Sequence, residues 1–182
     1  MAIFASLWAI PFLMTTYHFD KTQAAEIASF TWIGLAVISP LLGFLSNCCH
    51  SRKWTVFVAC VVGLVSILFI TYDTNLPKSV LIVLLFLLGG ACSAQPLSYT
   101  LVREHHEQHI VATAISFNNM AAIIAGAVFQ PISGFLINQH HTASAGTYYS
   151  VSDYQHGLIV VPIFFALSII VTVFFINEPK RN

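Results

Sequence analysis

Side chains able to hold a polar solute are concentrated in two stretches of this chain. Ser93, Gln95, Ser98 and Tyr99 crowd the first, and Thr113, Ser116, Asn118, Asn119 and Gln130 lie along the second. Carboxamides and hydroxyls donate and accept hydrogen bonds without changing charge, so their chemistry is recognition rather than proton transfer. No catalytic pattern accompanies them: there is no Gly-x-Ser-x-Gly, no His-Glu-x-x-His and no pair of carboxylates inside an apolar run. An embedded enzyme therefore ranks last among the readings. His105, His106 and His109, with Glu104 and Glu107, have metal-ligand types, but so short and solvated a segment reads as an interfacial loop. Cys48-Cys49-His50 has the types for a metal or a palmitoyl chain, and neither is the preferred reading. No metal and no cofactor is expected. Glu26 is the one acid near an apolar interior, and capping of a helix N-terminus accounts for it.

Composition sets the elements that must position these groups. Hydrophobic residues make up 57% of the 182-residue chain and charged residues 8%, with mean hydropathy +0.80, whereas soluble domains carry about 25% charged residues. Lipid must touch most of the outside. Net charge is zero, which leaves no basic face for nucleic acid and excludes that partner. A crossing helix needs about 20 apolar residues to cover about 30 Å of hydrocarbon. Polar breaks divide the chain into six such runs, 1–17, 23–46, 54–72, 79–102, 110–138 and 157–176. The expected fold is an all-α polytopic membrane protein, a six-helix transmembrane bundle, whose first run is short and whose fifth is the longest. The polar stretch 139–156 reads as a loop exposed on one side, with room for a short interfacial helix. The start has no basic region or cleavage site of a signal peptide, and the four cysteines suggest no disulfide framework.

Basic residues orient the bundle, because loops rich in Lys and Arg stay in the cytoplasm. Arg52, Lys53, Arg103, Lys180 and Arg181 fall on one side of a six-run alternation, and Lys21 and Lys78 on the other. Both termini are thus expected inside. Gln95 then lies about 9 Å, and Asn119 about 12 Å, from the cytoplasmic ends of their helices, so the two share a depth. Asn119, Ile123, Gly126 and Gln130 follow helical spacing and give the fifth run an amide-bearing face. Such a face suits a cavity wall; equally, amides in lipid act as interhelical glue worth about 1 kcal/mol each. The third and sixth runs carry only scattered Thr, Ser and Cys and are expected as lipid-facing supports. Small residues four apart favour close packing, and Pro11, Pro40, Pro96, Pro131 and Pro162 favour bends.

Residues 43–53, Gly-Phe-Leu-Ser-Asn-Cys-Cys-His-Ser-Arg-Lys, resemble the loop signature of the major facilitator superfamily. Gly43, Leu45, Ser46 and Arg52 fit, while Asn47 stands where the signature has Asp, removing one partner of its gating ion pair. Residues 112–120 and 126–134 look like the eleventh helix of bacterial members. The resemblance implies a C-terminal half: helices seven to twelve of a 12-helix fold, built as two inverted three-helix repeats, with Met1 partway into the seventh. It further implies substrate held near midplane, between this bundle and an N-terminal six-helix half or a second copy. The first, second, fourth and fifth helices would line the cavity, with Gln95, Asn118, Asn119 and Gln130 as polar candidates. Trp8, Tyr17 and Trp32 are candidate aromatic walls, with an interfacial or lipid-facing place as the competing reading. Gly43, Asn47 and Arg52 are candidate gating residues. Expected partners are a small polar or anionic metabolite, a proton or another coupling ion, and the lipid of a bacterial inner membrane. The competing class is a small six-span scaffold or assembly protein that transports nothing.

Overall fold

The computed structural model describes residues 4–48, 51–105, 107–144 and 149–175. Cys49 and His50, His106, and the basic tail residues Lys180 and Arg181 lie outside them. A π-helical turn, Phe4–Trp8, leads into α1, Ala9–Tyr17. Pro11 supplies no N–H to the preceding turn, and a widened turn is a common accommodation. His18, with φ 55°, ends α1 in the left-handed region. The Asp20 carboxylate then accepts from the Thr22 N–H at 3.3 Å, opening α2, Lys21–Cys48. Ser51 caps α3, Arg52–Tyr72, by accepting from the Trp54 N–H.

Two rods follow, each broken near its middle. α4, Lys78–Ala91, and α5, Ala94–His105, are separated at Cys92–Ser93. Pro96 cannot donate to the Cys92 carbonyl four residues back, and the Gln95 N–H takes that carbonyl instead at 3.2 Å, tightening the turn. α6, Val111–Ser144, is one 34-residue helix. α7, Val151–Leu158, and α8, Val160–Phe175, part at Ile159, where Pro162 leaves the Leu158 carbonyl without its helical donor.

Five stretches are long and apolar enough to cross a membrane: Lys21–Cys48, Arg52–Tyr72, Lys78–Arg103, Val111–His141 and Val151–Phe174. Phe4–Tyr17 is apolar but shorter. No strand occurs among the described residues. Most of 139–156, read from sequence as an exposed loop, is helical. α6 overruns its apolar run, and α7 starts at Val151 because Ser150 and Asp153 form a reciprocal capping box.

Glycines set the tightest crossings. A Cβ on Gly34 would collide with the Phe86 carbonyl, and one on Gly89 with the Thr31 carbonyl, so α2 and α4 meet backbone to backbone. Gly63 of α3 admits the Phe165 ring of α8, and Gly157 of α7 admits Ile137 and the Ser133 carbonyl of α6. This explains a departure from expectation. α3, expected as a peripheral support, is enclosed as deeply as any span, with Thr55, Ala59, Cys60, Ser66, Ile67 and Ile70 among its buried residues. It still turns an apolar stripe outward, Trp54, Val58, Val65, Phe69 and Tyr72.

The core is not spread evenly along the helices. Phe12, Leu13, Ile27, Ile70, Leu81, Ile137, Tyr154 and Leu158 belong to one buried cluster. Each lies near the helix end that leads to, or follows from, the α1–α2, α3–α4 or α6–α7 connection. The bundle is therefore closed at that end. The amide-bearing parts of α5 and α6 lie toward the other.

Candidate functional site

The seam between α5 and α6 carries two hydrogen-bonded relays. Gln95 Nε2 donates to Tyr99 Oη at 3.1 Å, and Tyr99 Oη donates to Asn119 Oδ1 at 2.8 Å. Beside them, Asn118 Nδ2 donates to Ser98 Oγ at 2.8 Å, and Ser98 Oγ donates to the Gln95 carbonyl at 2.7 Å. The carbonyl reached by Ser98 belongs to the tightened turn before Pro96, at the break in the rod. Gln95 and Asn119, matched in depth by sequence, thus meet through a phenol rather than directly. Gln95 Oε1 and Asn119 Nδ2 have no partner among the described residues, and both residues are exposed. That leaves an acceptor and a donor for a solute.

Gln130, lower on the same face of α6, donates to Ser6 Oγ at 2.7 Å and so ties α6 to the opening turn. Gln95, Ala122, Ile123, Gly126, Ala127 and Gln130 line a groove of about 420 Å³. A second cavity of about 300 Å³ shares Gln95, Ala122 and Gly126 with it and is otherwise mostly apolar, bounded by Cys60, Phe129, Phe164 and Phe165. Both volumes fall in the range of small-molecule sites. The groove's small residues on α6 give it depth, and Gln95 stands where the two spaces adjoin.

A family model, the Major Facilitator Superfamily, matches residues 1–182. The chain belongs to the major facilitator superfamily. Members of this superfamily are membrane transporters and not enzymes. No curated protein and no solved structure gives a significant match. For this facilitator chain the remaining candidates are dispersed. Trp8 is half-buried, its ring against Gly134 of α6. Tyr17 sits at the closed end, donating to the Asp73 carbonyl at 2.9 Å and stacking on Phe19, away from the amides. Trp32 is 49% exposed on α2.

The facilitator-type loop residues lie between α2 and α3. Gly43 has open space around it and Asn47 is exposed, while Arg52 opens α3 half-buried. Its neighbour Lys53 donates from Nζ to the Val173 carbonyl at 2.7 Å, clasping the last turn of α8. Sequence reasoning passed over Ser6, and also Asp153, a fully buried carboxylate in contact with His140 and His141. The signal for Asp153 was present: Ser150-x-x-Asp153 ahead of an apolar run is a capping pattern.

Proposed function

We propose that the chain is the C-terminal half of a secondary transporter, moving a small polar or anionic metabolite by alternating access against an N-terminal six-helix half or a second copy. A proton or another ion is the coupling partner. The proposed arrangement has six spans, two inverted three-helix repeats, and both termini in the cytoplasm of a bacterial inner membrane. The observation that carries this reading is the α5–α6 seam. Four amide or hydroxyl side chains bond across it, and Gln95 and Asn119 keep donor and acceptor capacity beside a groove of solute size. Packing glue alone has no need of a groove. Family membership supplies transport in general, and much of the buried cluster lies toward the end away from the amides.

Uptake into proteoliposomes tests the reading, using labelled carboxylates, amino acids and sugars as a panel. For any member taken up, Gln95→Ala, Asn119→Ala and Gln130→Ala are expected to lower the rate about tenfold or more, roughly one lost charge-free hydrogen-bonded contact each, while the purified proteins stay monodisperse. Unaltered uptake in all three variants, or loss of folding in place of loss of uptake, would favour the scaffold reading.

A further inference from the structure

The α6–α7 corner holds chemistry that the transport reading does not use. Asp153 has 1% of its side chain exposed, His141 17% and His140 30%. His140 Nδ1 meets Asp153 Oδ1, and His141 Nδ1 lies 3.2 Å from Oδ2, which also accepts the Ser150 N–H at 2.8 Å. A third ring, His156, stacks on His140 with centroids 3.9 Å apart, and its Nδ1 faces the Ser152 carbonyl at 2.8 Å. A carboxylate and a carbonyl only accept. All three rings must therefore carry hydrogen on Nδ1, which assigns Nε2 as the nitrogen that gains the next proton.

Charge decides where that proton goes. A buried carboxylate is costly unless a positive charge lies against it. Protonating His140 or His141 places one there, across hydrogen bonds already made. Protonating His156 instead sets a cation on the face of its stacked neighbour. The other surrounding groups are Tyr149, tilted on His141, and Tyr154. From α1 comes Phe12, against Tyr154, and from α3 the Thr71 carbonyl, accepting from Gln155 at 3.0 Å. The ionisable groups at those helix ends are Tyr17, His18, Tyr72 and Asp73. The Asp73 carboxylate accepts from the Asn75 N–H.

We infer that Asp153, His140 and His141 form a proton-binding site that fastens the end of α6 to the first turn of α7 on acidification. His141 stands in the last turn of α6, where a helix C-terminus favours positive charge, and Asp153 caps the start of α7 through Ser150, so the pair joins the two helix ends. α6 carries Asn118, Asn119 and Gln130, so the site acts on the helix that bears the amides. The inference stands apart from the transport reading, since a scaffold with this corner would bind the proton equally.

Hydrogen exchange of the full chain in lipid nanodiscs, followed by mass spectrometry from pH 8 to pH 5, reads the site. After correction for the intrinsic exchange rate, amides 151–156 are expected to gain severalfold in protection on acidification. His140→Gln with His141→Gln keeps a side-chain donor at both positions but removes the charge change, and the profile should flatten. His156→Gln should keep the response. A flat wild-type profile overturns the inference whatever the variants do, and so does a double variant whose profile matches wild type.

Discussion

At the scale of residues, Tyr99 is the joint of the polar seam, because its single hydroxyl accepts from Gln95 and donates to Asn119. Tyr99→Phe removes both bonds and is expected to lower stability by about 1 kcal/mol, the usual worth of polar contacts between membrane helices. In a double-mutant cycle on the melting temperature, Gln95→Ala should then cost little more. Additive losses would show that the relay carries no coupling. Sequence made much of this seam legible: helical rise alone matched Gln95 and Asn119 in depth. It did not reveal the phenol between them, since depth along a helix does not say which neighbouring helix a side chain meets. Asp153 was hidden for another reason. It lies in a stretch rich in Ser, Thr and His, and its burial depends on the end of α6 bringing His140 and His141 against it.

Elements were foreseen better than their contacts. Five of the six apolar runs overlap the five stretches long and apolar enough to cross a membrane, and Pro96 and Pro162 each stand three or four residues beyond a break in a rod. Where helices touch was less legible, because a glycine's meaning depends on what faces it. Gly89 and Gly43 have the same composition and opposite surroundings. Gly89→Ala drives a methyl into the Thr31 carbonyl, which backbone cannot move aside, and should destabilise by about 1–3 kcal/mol. Gly43→Ala meets nothing within 4 Å and should be neutral or stabilising by up to about 1 kcal/mol through helix propensity. Melting of the two purified variants checks the pair; equal shifts would contradict the crossing described for α2 and α4.

For the whole molecule, the three tryptophans report which surfaces meet lipid. Trp54 is 61% exposed on the apolar stripe of α3, Trp32 is 49% exposed on α2, and Trp8 lies against Gly134. In single-tryptophan variants reconstituted with brominated lipid, Trp54 should be quenched strongly and Trp8 weakly. Trp32 separates two surroundings: quenching by aqueous acrylamide in preference to brominated lipid places it on a watery wall, and the reverse pattern places it in the bilayer. α6 poses the same question at larger scale, because Phe117, Ile123 and Phe135 are each more than 60% exposed. Its apolar sides need lipid or a second bundle to cover them.

The closed end has a consequence for how the chain is made. The Phe12 ring packs edge-on against Tyr154, so α1 and α7 share a core although most of the sequence separates them. During synthesis at about 5–20 residues per second, the first helix waits several seconds before its partner emerges. Until then its aromatic face rests on lipid or on whatever insertion factor holds it. Such long-range closure is slow by nature, and it makes the last helical hairpin the step that commits the bundle to its shape.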